Sequence, residues 1–345
     1  MRHRIADSGQ AVIVDVHAHV TGPAELYAYF RELQASPGPM RPRAPTFSDE
    51  QVEASLADHL QEVASVGTDV QLVSPRPWAI PTADRREAVV QAITQRVNDI
   101  VAQAVRLHPD RLVGMAGLPQ VAGMSPANCA DELERCVTQL GFVGCKINPD
   151  PGEGGLQTPS MGDEHWYPLY EKMVALDVPA LIHGGPYRFG REPELGYFCT
   201  EEAVAAWGLL RSRVFQDFPT LKIIVGHGGG YVPYQVGRGR AFRLNEMARA
   251  ADVESFDTTL RRLWFDTVLY NIESLDLLVR VVGVDRCVFG SDKPANGSVM
   301  DPLTGRVLND IKLLVESIDW LSDDDRAAVY VGNARALFSR LRLPA

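Results

Sequence analysis

The residues best suited to metal chemistry in this sequence are histidines and one aspartate at the ends of apolar runs. His17-Ala-His19 closes the first run, while His183, His227 and Asp292 close the fifth, sixth and eighth. Residues two apart on a strand point to the same side, so the imidazoles of His17 and His19 can face one point. Imidazoles with a carboxylate and room for water suit zinc or a similar borderline cation. The pattern therefore predicts one divalent metal ion, zinc or alternatively manganese.

Eight apolar runs carry these side chains at their ends. The runs are AVIVDVHAH (11–19), TDVQLVSP (68–75), RLVGMAGLP (111–119), FVGCKINP (142–149), PALIHGG (179–185), LKIIVGHGGG (221–230), LWFDTVLY (263–270) and RCVFGSD (286–292). Continuous rather than alternating hydrophobicity is typical of parallel strands buried on both faces. Segments 48–67 and 125–141 have helical period, open with Ser and close at Gly, as helices do. Eightfold strand–helix alternation favours an α/β fold of the (β/α)8 TIM-like barrel type over an open sheet.

The organisation along the chain fits one barrel domain over 1–345. We expect a short N-terminal extension (1–10) and three long loops that follow the first, fourth and fifth strands, at 20–50, 150–168 and 184–202. Such loops leave the carboxyl ends of strands, where barrel enzymes build their sites.

Composition excludes several kinds of partner. The formal charge of −10 without a block of like charges disfavours nucleic acid and anionic membranes. No apolar run approaches the roughly 18 residues of a membrane span. The five cysteines are scattered and form no CxxC pair, which disfavours a disulfide framework and favours a reducing cytoplasm. A small anionic substrate would need a local pocket of positive charge.

Several motifs resemble the amidohydrolase superfamily. VDVHAH, LIHGG, GHGGGYVPY and FGSD are similar to the branch that includes aminocarboxymuconate-semialdehyde decarboxylase. Longer stretches such as VSPRPWA, INPDPGEGG and DPLTGRVLNDI look closer to the 4-oxalomesaconate hydratases and to the zinc-dependent hydrolases that cleave C–C bonds in ring-cleavage products of lignin biphenyls. The resemblance extends from residue 12 to about 338 and implies a mononuclear metal enzyme of aromatic catabolism.

The resemblance assigns roles to the strand-end residues. It implies that His17, His19 and His183 are metal ligands and that His227 is a catalytic acid/base or substrate-orienting group. A neutral imidazole near pH 7 suits that role. FGSDKP carries Asp292 where the hydratases have Glu, whereas the decarboxylases have a metal-binding Asp. Asp292 is therefore expected as a ligand, as a catalytic acid/base, or as both.

Candidates for substrate binding lie at other strand ends and loops. Arg76 in Ser-Pro-Arg-Pro could bind a carboxylate through its planar fork, or form a surface ion pair. Asn148 could position substrate, or belong to an ordinary turn. Lys146 could be the carboxylated lysine that bridges two metal ions in binuclear members of the superfamily. Further candidates, equally plausible as packing or surface residues, are Tyr187, Arg188, Tyr197 and Arg240.

Two chemistries fit this predicted centre. A lyase, either a decarboxylase or a hydratase, would act on a small unsaturated or aromatic carboxylic acid, with the cation stabilising developing negative charge. A hydrolase would instead cleave a C–C or amide bond through metal-activated water. A barrel that binds metal or ligand without turnover is a third reading. We favour the lyase and expect a homodimer.

Overall fold

The structure of the protein is a computed structural model that describes residues 12–35, 44–84, 86–155, 158–185, 194–249 and 253–343. The predicted N-terminal extension (1–10), Tyr187 and Arg188 lie outside the described residues.

Eight parallel strands form one sheet in the order of the sequence. They are β1 (Val14–Val20), β2 (Val70–Pro75), β3 (Leu112–Gly117), β4 (Gly144–Ile147), β5 (Ala180–Ile182), β6 (Ile223–Val225), β7 (Leu263–Asp266) and β8 (Cys287–Val288). Each strand pairs with the next, from β1 with β2 through β7 with β8. Every one of the eight predicted runs contains or overlaps a strand, so the predicted α/β sheet of eight parallel strands is confirmed.

Helices connect the strands and cover the outside of the sheet. They are α1 (Ala24–Ala35), α2 (Asp49–Ser65), α3 (Glu87–Leu107), α4 (Ala130–Thr138), α5 (Tyr167–Leu176), α6 (Glu194–Arg211), α7 (Val214–Asp217), α8 (Val236–Met247), α9 (Phe256–Leu260), α10 (Ile272–Val282), α11 (Ile311–Glu316), α12 (Asp323–Ala327) and α13 (Asn333–Leu337). A small hairpin of β9 (Met300–Asp301) and β10 (Arg306–Val307) follows β8. Ser48 caps α2 as predicted, in a capping box with Gln51. None of the described helices has the length and apolar content needed to cross a membrane.

The apolar core has two parts, on opposite faces of the sheet. The larger part lies between the strands and the surrounding helices. The smaller part gathers alternate strand residues, such as Val14 and Val16 of β1, with the C-terminal Leu337 and Phe338. Because successive side chains of a strand point to opposite faces, one buried strand supplies both parts.

The two ends of the sheet meet without a regular ladder. The Val16 amide donates to the Phe289 carbonyl at 2.8 Å, the Asp292 amide to the His17 carbonyl at 2.7 Å, and the His19 amide to the Lys293 carbonyl at 2.9 Å. A single parallel bridge joins Ala18 to Lys293. We call this contact between β1 and the chain after β8 the seam.

Two of the predicted loops are partly helical. α1 occupies much of 20–50 and buries Leu26, Tyr29, Phe30 and Leu33, whose helical spacing identifies an amphipathic segment. α6 begins at Glu194, inside the predicted loop 184–202. These two connections after β1 and β5 therefore contain regular helix beside irregular chain.

Candidate metal centre

Four imidazoles surround the carboxylate of Asp292 at the carboxyl ends of the strands. Asp292 Oδ1 lies 3.0 Å from His19 Nε2, 3.4 Å from His17 Nε2 and 4.0 Å from His183 Nε2. Asp292 Oδ2 lies 3.6 Å from His227 Nε2. The fold thus brings together all five residues that the sequence analysis placed at strand ends.

The partners of the Nδ1 atoms fix the orientation of three rings. His17 Nδ1 lies 2.6 Å from Asp266 Oδ2, and His183 Nδ1 lies 2.7 Å from the Gly184 carbonyl. An imidazole that donates from Nδ1 presents an unprotonated Nε2 to the opposite side. His19 Nδ1 lies 3.1 Å from the Ser74 hydroxyl, which can accept the same kind of bond. All three rings can therefore offer Nε2 lone pairs to one point.

The inward-facing nitrogen atoms lack partners within the protein. His17 Nε2, His19 Nε2 and His183 Nε2 are buried and make no hydrogen bond, although buried polar atoms nearly always have a partner. Together with the ionised Asp292 they form a set of three nitrogen donors and one oxygen donor, which matches the first shell of a single cation. The residues present thus fit a mononuclear metal ion.

His227 differs from the other three imidazoles through its partner. Its Nδ1 lies 2.9 Å from both carboxylate oxygens of Glu202. Burial alone would lower the pKa of His227, but the charges of Glu202 and Asp292 hold it well above the ordinary value. These charges favour an imidazolium, whereas the sequence analysis expected a neutral ring. Ligand-capable atoms of His17, His183, His227 and Asp292 also lie within 4.8 Å of one another.

Charge and burial set the protonation of the other groups. Burial would raise the pKa of Asp292, yet His17, His183 and His19 hold it well below its usual range, so this carboxylate is ionised. Burial lowers the pKa of His183 to about 4. Burial opposes the charged form of His17 as well, but Asp266 and Asp292 raise its pKa to about 9. A bound cation would compete with that proton for Nε2.

Both residues that face each other across the centre have left-handed backbone conformations. His227 has φ +47° and Asp292 has φ +57°. Side-chain-bearing residues rarely adopt these angles, and such strain concentrates at functional sites. Gly228, Gly229 and Gly230 also have positive φ and complete the turn after β6. The strand ends are therefore bent to aim these two side chains at one another.

A cavity of about 200 Å³ opens beside the centre. Its wall contains His19, His183, His227 and Asp292 together with Arg76. Aromatic rings from Trp78, Phe198 and Tyr270 complete the wall. The cavity therefore combines a polar floor with flat apolar sides.

Two cationic side chains flank the floor of this cavity. Arg76 donates from Nε to Thr21 Oγ1 at 2.9 Å, and it lines the cavity on the side of His19. Lys146 donates to the Pro75 carbonyl at 2.5 Å. It lines a small adjoining cavity of about 20 Å³ with Asn148 and His183. Burial lowers the pKa of Lys146 to about 7.

Two sequence candidates do not face the metal cavity. The Tyr197 hydroxyl donates to Asp150 Oδ2 at 2.9 Å, and its neighbours Phe198 and Cys199 line the cavity instead. Arg240 lies on the outside of α8, half exposed, in an ion pair with Asp257 at 2.9 Å. Arg240 was expected on a loop after β6, but the helix turns it away from the strand ends.

A larger groove of about 450 Å³ lies elsewhere, beside α6, α8 and α9. Its wall includes Trp207, Phe242 and Phe256 and none of the residues of the metal centre. The larger of the two cavities is therefore not the one that adjoins the candidate metal centre.

Glu202 and Asp266 are the functional residues that the sequence analysis missed. Asp266 ends β7, so the strand-end rule that selected Asp292 could have found it. Glu202 lies within α6, where no spacing relates it to His227. It also accepts the Gly184 amide at 3.1 Å, and thereby holds the turns after β5 and β6 together.

Comparison with known proteins gives consistent relatives. The sequence profile of the amidohydrolase family matches residues 14–340. The chain is 36% identical over 336 residues to a 2-keto-4-carboxy-3-hexenedioate hydratase of Sphingobium sp., covering 96% of this chain and 97% of that protein. A gamma-resorcylate decarboxylase of Rhizobium sp. is 30% identical over 292 residues, covering 78% of this chain and 81% of that protein. The crystal structure of 4-oxalomesaconate hydratase from Rhodopseudomonas palustris superimposes with a TM-score of 0.84 at 32% identity, covering 95% of this chain and 96% of that one.

Proposed function

Because the chain belongs to the amidohydrolase family, we propose that it is a metal-dependent lyase acting on a small unsaturated or aromatic carboxylic acid. The observation that carries this proposal is the set of three unpartnered imidazole nitrogens facing one ionised carboxylate, with His227 opposite. Relatives named as a hydratase and as a decarboxylase support the same class. A hydrolase that uses the same donors is the alternative.

We propose zinc as the resident ion, with manganese as the alternative. His17, His19, His183 and Asp292 would hold it, because nitrogen-rich donor sets with one carboxylate suit zinc. When bound, the cation supplies charge that stabilises negative charge developing on a substrate oxygen. The three imidazoles would bind it with the nitrogen that faces the centre, because Asp266 and the Gly184 carbonyl hold Nδ1 of His17 and His183.

The cationic groups around the cavity support an acidic substrate. Arg76 can bind a carboxylate in the main cavity, and Lys146 with Asn148 can bind a second polar group in the adjoining one. The aromatic rings of Trp78, Phe198 and Tyr270 suit a flat, conjugated carbon skeleton. We therefore favour an unsaturated acid with more than one polar substituent, while Tyr197 acts indirectly by holding Asp150.

His227 is the proton donor in this proposal. Its imidazolium, paired with Glu202, can deliver the Nε2 proton to a substrate carbon. In hydration, that proton and the hydroxyl of water add to the two ends of a double bond, and the proton lost by water restores His227. In decarboxylation, the same proton replaces the departing carbon dioxide. Asp292 would hold the cation, and its Oδ2 lies 3.6 Å from His227 Nε2, so it can assist proton return.

Hydration is our first choice between the two lyase reactions. The hydratase relative matches nearly the whole chain, whereas the decarboxylase relative covers less of it. Aspartate rather than glutamate at position 292 favours decarboxylation in the resemblance described above. Both reactions need the same acid and the same charge-stabilising centre.

A substrate panel tests the proposed function. Metal-loaded protein is incubated with conjugated keto acids bearing two or three carboxylates and with hydroxybenzoates, and turnover is followed by ultraviolet absorbance and mass spectrometry. Gain of water identifies a hydratase, and loss of carbon dioxide a decarboxylase. His227→Asn is the control, which should keep the metal and lose activity. Products of C–C or amide hydrolysis, or a protein that takes up no metal, would overturn the proposal.

We further propose that the sheet is a closed TIM-like barrel forming one domain over 1–345. The hydrogen bonds across the seam support closure. The match of the family profile to most of the chain supports a single unit.

A further inference from the structure

The strand that carries two of the proposed ligands contains an irregularity. In the pairing of β1 with β2, Asp15 lies opposite Gln71, but Ala18 lies opposite Val73. Three steps along β1 thus match two along β2, which is the count of a β-bulge. A bulge leaves a backbone amide without a ladder partner, and it re-aims the side chains beside it. His17 lies within this bulge, so the bulge directs its imidazole.

The carboxylate of Asp15 accepts the backbone amide that the bulge leaves without a ladder partner. Asp15 Oδ1 accepts the His17 amide at 3.0 Å. The same oxygen accepts the Ser291 amide, also at 3.0 Å, from across the seam. Ser291 directly precedes Asp292. This one oxygen therefore joins the backbone of His17 on β1 to the backbone just before Asp292.

The second oxygen of Asp15 is equally occupied. Asp15 Oδ2 accepts the Ser291 hydroxyl at 2.5 Å and the Gln71 side-chain amide at 2.8 Å. Gln71 Oε1 in turn lies 2.6 Å from His59 Nε2 on α2. Asp15 and Gln71 are completely buried. Four donors from β1, β2 and the chain after β8 therefore converge on one carboxylate beneath the metal centre.

From this geometry we infer that Asp15 is a positioning residue of the metal centre, which sets the spacing between His17 and Asp292. The inference rests on the metal site proposed above. Asp15 acts together with the backbone bonds of the seam, in which the Asp292 amide donates to the His17 carbonyl at 2.7 Å, because the seam has no continuous ladder. Without Asp15, the His17 amide and the Ser291 amide lose their shared acceptor, and only the backbone bonds of the seam hold the two ligand-bearing segments together.

Asp15→Asn and Ser291→Ala test this inference. The asparagine keeps the shape of Asp15 but turns an NH2 group toward two of the four donors, whereas Ser291→Ala removes only the hydroxyl bond. Affinity for zinc is measured by competition with a graded chelator, and the melting temperature is measured on the metal-free proteins. Loss of an outer-shell partner typically weakens metal binding about 10–100-fold. We expect a loss in that range for Asp15→Asn and a smaller, measurable loss for Ser291→Ala.

The control separates positioning from general destabilisation. Leu337→Ala removes a buried side chain from the smaller core and should lower the melting temperature while leaving zinc affinity at the wild-type value. Variants at Asp15 and Ser291 that lose stability but keep wild-type zinc affinity would show a purely structural role and overturn the inference. If Asp15→Asn does not fold, an unchanged zinc affinity in Ser291→Ala is by itself enough to overturn the inference. A wild-type protein that binds no zinc would instead defeat the proposed metal site.

Discussion

The charge of His227 depends on one buried carboxylate. Glu202 is completely buried and holds the imidazole through both oxygens. The neighbouring Asp292 adds a second negative charge at 3.6 Å. An imidazolium in this position is a ready acid, while burial keeps His19 and His183 nearby in the unprotonated form that can bind a metal. Identical side chains thus take different roles because their partners differ.

Replacing Glu202 with Gln should slow turnover without emptying the metal centre. The amide cannot stabilise the imidazolium, so the pKa of His227 falls and less of the acid form is present. We expect kcat to fall at least about 100-fold, the lower end for general acid–base catalysis. Steady-state kinetics and elemental analysis measure the two effects, with Glu273→Gln on the exposed face of α10 as control. Wild-type kcat in Glu202→Gln would refute this role.

Lys146 should make stability depend on pH. Its pKa is near 10.5 when unfolded and about 7 in the folded protein. Between those values the unfolded chain binds more protons, so the free energy of unfolding rises with pH. The free-energy cost of burying the charged Lys146 is present in full below pH 7 and disappears towards pH 10.5. Its upper bound is about 5 kcal/mol, at about 1.4 kcal/mol per pKa unit.

Comparison of Lys146→Met with the wild type isolates this contribution. Urea unfolding of both metal-free proteins across pH 7 to 10.5 should show the variant more stable at the low end. That advantage should shrink as the pH rises. A constant difference across the range would mean that Lys146 stays charged in the folded protein.

At the level of elements, the turn after β6 packs closely against α6. A Cβ on Gly230 would lie 2.2 Å from the Cys199 carbonyl oxygen of α6, so the turn and the helix pack backbone against backbone. This contact places Glu202, three residues after Cys199, beside His227. The acid therefore depends on the docking of α6 as much as on its own strand.

Gly230→Ala should destabilise the protein far more than Gly305→Ala. Both glycines have positive φ, but a Cβ at Gly305 meets nothing within 4 Å. Alanine costs roughly 1–2 kcal/mol even in the allowed left-handed region. Gly230, with φ +59° and ψ −119°, lies outside that region and also adds the collision with α6. Thermal unfolding should show a small decrease for Gly305→Ala and a large one for Gly230→Ala. Equal decreases would show that the helix moves away freely.

The strands and their ends were predictable from the sequence, whereas the side chains that hold the site residues in place were not. Apolar runs with polar ends locate His17, His183 and Asp292 because parallel strands end at one edge. Glu202 could not be found this way, since its role arises from how α6 docks on the turn. The same reason kept both alternatives for Arg240 open, pocket or surface: a helix face decides where a side chain points, and the residues alone did not indicate that face.

At the level of the whole molecule, the metal centre joins the first, fifth and eighth strands. The proposed ligands come from β1, from the end of β5 and from the chain after β8. A cation at this point would link both sides of the seam. The predicted barrel requires the first and eighth strands to meet, but the sequence could not show that they meet through a few backbone bonds and the Asp15 carboxylate rather than through a regular ladder. The predicted homodimer and cytoplasmic location stay predictions.

Removal of the metal should lower the stability of the whole fold. A ligand that binds only the folded state stabilises it by about 4 kcal/mol when present at 1,000 times its Kd. Without it, the three inward-facing imidazole nitrogens stay buried without a hydrogen bond. Calorimetry of chelated and zinc-loaded protein should show a lower melting temperature for the chelated form, restored by zinc. His183→Ala should no longer respond to zinc, and an unchanged chelated wild type would contradict the prediction.

The seam also has a consequence for biosynthesis. Asp15 and Ser291 are separated by 276 positions, and a ribosome adds about 5–20 residues per second. Between roughly 14 and 55 seconds therefore pass after the first ligands are translated before the last one exists. During that interval the nascent chain has His17 and His19 but not Asp292, so the complete metal centre can form only after residue 292 has been translated.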